Sequence, residues 1–250
     1  MVVLKTKREL DLMREACRIS ANALKEAGKA VQPGVSTKEI DDIVRKYIQE
    51  QGATPSFLGY GGFPASACIS VNDVVIHGIP SKKQILKSGD IVSVDVGAFI
   101  EGFHGDNAYT FACGDISNEA QALLDATKES LYEGIKAAVA GNRVGDIGNA
   151  VQRYVEARNY SVVRDFVGHG VGAKLHEDPS VPNYGTPGRG VRLLPGMTIA
   201  IEPMITAGKY AVKVLDDDWT TVTVDGSLAA HFEHTIAITP NGPVVMTIPD

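Results

Sequence analysis

Apolar and polar positions alternate with two different periods along the chain, and the switches between them mark the elements. Over residues 6–30, Leu10, Met13, Cys17 and Leu24 recur at helical spacing, and Thr6 with Glu9 forms a capping-box start. The pattern predicts a helix ending near Pro33-Gly34. Ser36 and Glu39 repeat the start signal, and Ile40, Ile43, Tyr47 and Ile48 predict a second helix up to Gly52. Period-two, β-rich runs then take over. Residues 66–71 and 74–77 flank Asn72-Asp73, a turn dipeptide, and residues 90–99 and 103–113 meet near Glu101-Gly102. Helical spacing returns over residues 118–138 and 144–158, the second carrying Ile147, Val151 and Val155. Strand-like runs close the chain at 160–167, 197–205, 220–224 and 232–239.

Two helices, then strands, then two helices, then strands predict an α+β fold built as a doubled unit. Its helices would cover one face of an antiparallel sheet. The chain reads as a single domain, residues 1–250, with pseudo-symmetric halves of about 1–113 and 114–250. The duplication is one of architecture, without clear identity between the halves.

Composition narrows the function classes. Hydrophobic residues make up 44% and charged residues 22% of the 250, ordinary for a globular protein, and the net charge is −6. That charge argues against a general attraction to nucleic acid or anionic lipid. The start, Met1-Val-Val-Leu-Lys-Thr-Lys-Arg, lacks a signal-peptide apolar stretch, and no run approaches a membrane span. Cys17, Cys68 and Cys113 are isolated, odd in number and without CxxC spacing. They predict neither a disulfide framework nor a thiolate zinc site, and point to a reducing cytoplasm.

Against that background, four carboxylates break apolar β-like runs: Asp95 in Val94-Asp-Val, Asp106 in the next run, Glu202 in Ile201-Glu-Pro-Met, and Glu233 in Phe232-Glu-His-Thr. A two-residue loop at Glu101-Gly102 would set Asp95 opposite Ala108, and a four-residue loop opposite Asp106. Either way the two carboxylates share a face, about 5–8 Å apart. Like charges that close require a protonated carboxyl, solvent, or a cation between them. One aspartate taken alone reads equally well as a solvated edge residue. Four such breaches together point to a site. Four negative charges match two divalent cations, and oxygen ligands with an imidazole suit Mn, Fe, Co or Zn.

Six histidines are available. His169 lies in Gly168-His-Gly-Val-Gly172, where glycines let the backbone approach a ligand. His176 follows in Leu175-His-Glu-Asp-Pro, and His77 ends a strand before Gly78-Ile-Pro80. His104, His231 and His234 read as structural. The loose Gly168-x-Gly170-x-x-Ala173 match to a dinucleotide fingerprint fails, because the prolines at 179, 182 and 187 exclude the helix that motif needs.

Seven motifs in order carry a family resemblance: Val74-Val-Ile-His-Gly-Ile-Pro80, Val94-Asp95-Val, Gly102-Phe-His-Gly-Asp106, Gly168-His-Gly-Val-Gly172, Leu175-His-Glu-Asp-Pro179, Ile201-Glu-Pro-Met204 and Phe232-Glu-His-Thr235. In this order and spacing the chain resembles the type I methionine aminopeptidases, which have the pita-bread fold with helices on a curved antiparallel sheet. The resemblance implies removal of the N-terminal methionine from nascent polypeptides, with preference for a small second residue. It implies that Asp95 and His169 each chelate one of two divalent ions and that Asp106 and Glu233 bridge them. Glu202 would ligate an ion and shuttle the proton of the attacking water. His176 would meet the scissile carbonyl oxygen, and His77 the scissile amide. A monovalent cation near the carbonyls of Asn72 and Val74 is also implied. By position, Phe57, Tyr60, Phe63, Cys68, Leu175 and Trp219 would line the methionine pocket, with Trp219 on an exposed turn near the rim. Several of these read equally as core.

Only 25 residues separate His176 from Glu202, too few for the helical insertion of the type II relatives. Proline-directed relatives share the five-ligand pattern but carry an extra N-terminal domain, whereas the first helix here starts by about residue 6. Non-enzymatic binding proteins of this fold lose ligands, whereas all five are present. The family is usually monomeric. Transient ribosome association is a further implied partner, for which the cluster Lys5-Thr-Lys-Arg8 is too small to stand as evidence.

Overall fold

The computed structural model describes residues 2–250; Met1, the first residue of the short apolar start, lies outside the described residues. The chain opens with helices α1 (Lys7–Ala30) and α2 (Thr37–Glu50). Both begin on the capping boxes read from the sequence. Glu9 N–H donates to Thr6 Oγ1 at 3.3 Å while Thr6 N–H donates to the Glu9 carboxylate at 2.7 Å, and Ser36 with Glu39 repeats the exchange. In α2 the buried positions are 37, 40, 41, 44 and 48. Ile43, expected on the inward face, is 37% exposed. It lies about 100° around the helix from Val44, the centre of the buried stripe. Asp41 takes an inward place instead, and its carboxylate accepts from Ser66 and Ala67 N–H at 2.7 and 3.1 Å.

The first strands are β1 (Thr54–Pro55), β2 (Ala67–Val71), β3 (Val74–Ile76), β4 (Ile91–Ile100) and β5 (Phe103–Ala112). Helices α3 (Asn118–Ala137) and α4 (Val144–Glu156) follow. After them come β6 (Ser161–Val162), β7 (Gly168–Gly170), β8 (Glu177–Val181), β9 (Thr198–Ile201) and β10 (Met204–Thr206). The chain closes with β11 (Val212–Val214), β12 (Thr221–Thr223), β13 (Ala229–His231), β14 (Glu233–Thr239) and β15 (Gly242–Val245).

Nine strands make the main sheet, in the order β1-β4-β5-β14-β9-β7-β8, with β2 also on β4 and β15 on β14. Its pairings are antiparallel. Two small sheets, β13-β10-β6 and β11-β12-β3, flank it. The Asn72-Asp73 turn forms with Asn72 in the left-handed region (φ 58°), but it joins strands of different sheets: β2 pairs with β4, and β3 with β12. The run expected over 197–205 divides at Glu202-Pro203, because proline has no N–H to donate to a ladder. β9 stays in the main sheet and β10 leaves it. The run expected over 160–167 shortens to β6, which pairs with β10.

Helices α1 and α2 pack on one part of the sheet through Ile19, Ile40, Ile48, Ile69, Val92 and Val94. Helices α3 and α4 pack on the other through Leu123, Leu131, Ile147, Val151, Ile199 and Ile236. Each such buried side chain contributes on the order of 1.5–3 kcal/mol. The approach of α1 to β5 depends on Gly105: a Cβ there would lie 2.4 Å from Cys17 N and 2.6 Å from Ala16 C. The helices thus cover one face of the sheet, and the opposite face is left for a site.

Candidate metal centre

Three neighbouring strands set out the acids. The β4–β5 hairpin takes the two-residue loop, which puts Asp95 opposite Ala108 and Gly97 opposite Asp106. From the other side of β5, β14 sets Glu233 opposite Ala108 as well. Asp95, Ala108 and Glu233 therefore form a row across three strands spaced about 4.8 Å apart. Asp106 stands one pleat away on the same face. Ala108 presents only a methyl group between the two acids. Gly97, on that face too, leaves space that Phe57 and Ser56 occupy: a Cβ at Gly97 would lie 2.8 Å from the Phe57 ring and 2.7 Å from Ser56 Cβ.

The remaining groups come from the far part of the sheet. Glu202 projects from the break between β9 and β10, and His169 from the centre of β7. His169 Nε2 lies 3.5 Å from Glu202 Oε1 and 3.8 Å from Asp106 Oδ2. Ligand atoms of Asp106, His169 and Glu233 all fall within 4.8 Å of one another.

The electrostatics are those of a cluster short of positive charge. Burial pushes Asp95 up to about 7, with the charge of Glu202 adding to the rise and His231 opposing it. Burial likewise pushes Glu202 up to about 8. Asp106 and Glu233 rise well above the usual carboxylate range, through burial first and neighbouring carboxylates second. Burial lowers His169 to about 3, so its ring is neutral. Its Nδ1 lies 2.9 Å from the Gly170 carbonyl, which can only accept, so Nδ1 carries the proton. The Nε2 lone pair then faces the side-chain oxygens of Glu202 and Asp106. Asp95 Oδ1, Asp106 Oδ1 and Glu233 Oε1 are buried without a hydrogen-bond partner among the described residues. Divalent cations would neutralise such a cluster, and hard oxygens with a neutral imidazole are the donors they take. The cluster has the donor set and spacing that suit a divalent metal ion.

Above it opens a cavity of about 370 Å³. Asp95, Asp106, His169, Glu202 and Glu233 line it together with His77, His176, Phe57, Tyr60, Phe63, Cys68, Leu175 and Trp219. Residues scattered from 57 to 233 thus meet at one place. His77 sits in the left-handed region at φ 58°, a strain of about 1–3 kcal/mol that the surrounding structure must hold. Gly78 makes that turn possible: a Cβ there would lie 2.2 Å from the Ile69 carbonyl oxygen. Burial lowers His77 to about 4. Trp219 follows an exposed acidic turn, as expected, yet its ring is half-buried, edge-on to Phe63 at 5.1 Å and to His77 at 6.0 Å.

Sequence reasoning passed over several residues of the cavity. Ile76, Asp165, Phe166 and Val167 line it too. His231, read as structural, lies 3.5 Å from Glu202 Oε2 and is 2% exposed, with Nε2 unpartnered among the described residues. No local signal marks it: His231 ends β13, in a different sheet from the Glu233 of β14. His104 and His234 lie outside the cavity, with Nδ1 bonded to Ser56 Oγ at 2.9 Å and to Thr247 Oγ1 at 2.8 Å.

A curved antiparallel sheet, four helices on one face and a buried acid–imidazole cluster on the other define a metallopeptidase of the pita-bread fold. The chain belongs to metallopeptidase family M24, whose model matches residues 11–240. It is 53% identical over 248 residues to a methionine aminopeptidase of Clostridium acetobutylicum and 54% identical over 247 residues to methionine aminopeptidase 1 of Bacillus subtilis, covering 99% of each protein. The crystal structure of the methionine aminopeptidase from Thermotoga maritima superimposes with a TM-score of 0.97 at 46% identity, over 99% of both chains. The prolidase of Pyrococcus furiosus shares the fold at a TM-score of 0.80 and 23% identity, the chain spanning 66% of that protein.

Proposed function

We propose that this protein removes the N-terminal methionine from peptides and nascent polypeptides, preferring a small second residue. The observation that carries this reading is the meeting of four acids and one imidazole in a cavity whose other walls are largely apolar and aromatic.

Asp95 and His169 would each hold one of two divalent ions, with Asp106 and Glu233 shared between them and Glu202 as a further ligand. The row of Asp95 and Glu233 about Ala108 supports two positions rather than one. Mn, Co, Fe and Zn all suit these donors. Bound ions of this kind lower the pKa of water and polarise the scissile carbonyl. Glu202 would take the proton of the attacking water and deliver it to the departing amine. His176 donates to the carbonyl oxygen as it gains charge, and His77 holds the scissile amide. Phe57, Phe63, Cys68, Leu175 and Trp219 enclose the methionine side chain, aromatic edges and sulfur suiting a polarisable thioether. Tyr60 lines the same cavity, and the preference for a small second residue rests on the family resemblance.

One catalytic unit spanning residues 1–250 fits this reading, because β4 and β5 from the first half and β7, β9 and β14 from the second supply the ligands. The reading also includes a monovalent cation near the carbonyls of Asn72 and Val74, transient docking at the ribosome, and a cytoplasmic site of action. No helix of the described residues is long and apolar enough to cross a membrane. The test is peptide hydrolysis by the Mn-loaded protein. Met-Gly-Met should release methionine while a peptide with proline second and another residue first stays intact; the reverse preference would assign a proline-directed peptidase.

A further inference from the structure

The imidazole of His176 is held from two sides. The His169 ring lies 4.0 Å away between centroids, and the Tyr60 ring stacks on it at 5.2 Å and 30°. The Tyr60 hydroxyl is 2.9 Å from His176 Nδ1. The backbone of the same loop is fixed separately. Glu177 makes a buried ion pair with Lys5 at 2.5 Å and accepts from Lys174 N–H at 3.1 Å. Glu177 thus anchors the main chain, and Tyr60 anchors the ring.

Tyr60 reaches that position from an unusual turn. Gly59, Gly61 and Gly62 have φ of 83°, 56° and 92°, a run that side chains resist. The turn carries a 46% exposed tyrosine to the rim of the cavity, with its hydroxyl turned inward to the histidine.

A neutral imidazole has one N–H, and its place is set by what the other nitrogen faces. A phenol is a good donor and a weak acceptor, whereas an imidazole nitrogen is a good acceptor. The bond therefore runs from Tyr60 O–H to Nδ1, and Nε2 keeps the proton. In His169 the Gly170 carbonyl forces the opposite tautomer. Two neighbouring imidazoles, tilted at 44° to one another, are thereby set to opposite tasks: one offers a lone pair, the other an N–H.

We infer that Tyr60 is a positioning residue, whose hydroxyl holds His176 in the Nε2–H tautomer so that His176 meets the scissile carbonyl as a donor. The inference rests on the aminopeptidase reading above. Its test is a double-mutant cycle on the metal-loaded full chain with Met-Gly-Met as substrate, together with ¹⁵N spectra of the histidines. Tyr60→Phe keeps the ring and loses the hydroxyl. It should lower kcat by about 10-fold or more, with KM held within about 2-fold. In a His176→Ala background, Tyr60→Phe should cause no further loss. The spectra should show His176 as the Nε2–H form in the parent and as mixed forms in Tyr60→Phe. Full additivity of the two substitutions, a rise in KM at unchanged kcat, or an Nδ1–H form in the parent would each overturn the inference. Should the parent release no methionine, the aminopeptidase reading fails on its own, while the spectra still decide the tautomer.

Discussion

Thr235 holds the backbone of Asp106, and removing its hydroxyl isolates that role. Among the described residues the β5–β14 ladder runs through Glu233↔Ala108 and His234↔Asn107. At the next rung the Thr235 side chain substitutes for backbone: Oγ1 donates to the Asp106 carbonyl at 2.7 Å and accepts from Asp106 N–H at 3.3 Å. Thr235 is fully buried and Asp106 is 3% exposed. Thr235→Val keeps the volume, so no cavity opens, but it leaves a buried N–H and a buried C=O without partners. Each orphan costs about 1–3 kcal/mol, giving a loss of roughly 2–6 kcal/mol for the two. Urea denaturation of metal-free protein reads this directly. Thr235→Ser retains both bonds and should lose about 1 kcal/mol for the methyl. With Asp106 no longer fixed, Mn(II) affinity by calorimetry should fall about 10- to 100-fold in Thr235→Val. A Thr235→Val protein within about 0.5 kcal/mol of the parent and of equal Mn(II) affinity would refute this account of how the ligand is positioned.

Other outcomes follow from the same geometry. In Asp106→Asn the amide imitates the neutral acid that burial favours, so metal-free stability should hold while Mn(II) binding and peptide cleavage are lost; cleavage retained at parental level counts against Asp106 as a ligand. The buried acids bind protons in the folded chain that the unfolded chain releases, so their stabilisation is full below about pH 4 and is lost as pH rises through about 7 to 8. Buried His77 and His169, lowered to about 4 and 3, act in the opposite sense, but only up to their unfolded pKa near 6.5. Metal-free protein should therefore lose thermal stability between about pH 6.5 and 8, while Mn-loaded protein should not, since protons and metal compete for the same atoms; parallel calorimetric curves would contradict this. Gly105→Ala drives a methyl into the α1 backbone and should cost about 1–3 kcal/mol or more in urea denaturation, a near-neutral change showing that α1 can move.

Much of the site was legible because acids inside apolar strands are costly, so their positions stand out locally. Asp95 and Asp106 could even be placed on one face, since the pleat period makes that conclusion independent of loop length. Long-range pairing left less trace. Nothing local says that β3 pairs with β12, or that the run through Glu202 must split between two sheets. Pro203 marks that break, but a strand can also end at a proline without changing sheets. Ile43 was misplaced because helical spacing defines a stripe to within one position on either side, and Asp41, a polar residue, occupied the buried flank. His231 was passed over because a lone histidine is most often structural, and only the fold brings it within 3.5 Å of Glu202. Phe166 and Asp165 reach the cavity from a loop whose course no periodicity records.

The central claim is that the acids and His169 act by holding divalent ions. Exhaustive chelation, with metal content measured on the stripped protein, followed by stepwise Mn(II) addition under Met-Gly-Met turnover, addresses it most directly. Methionine release should vanish on stripping and return as Mn(II) is added, saturating near two ions per chain; release that persists at full rate in protein shown to be metal-free would contradict it.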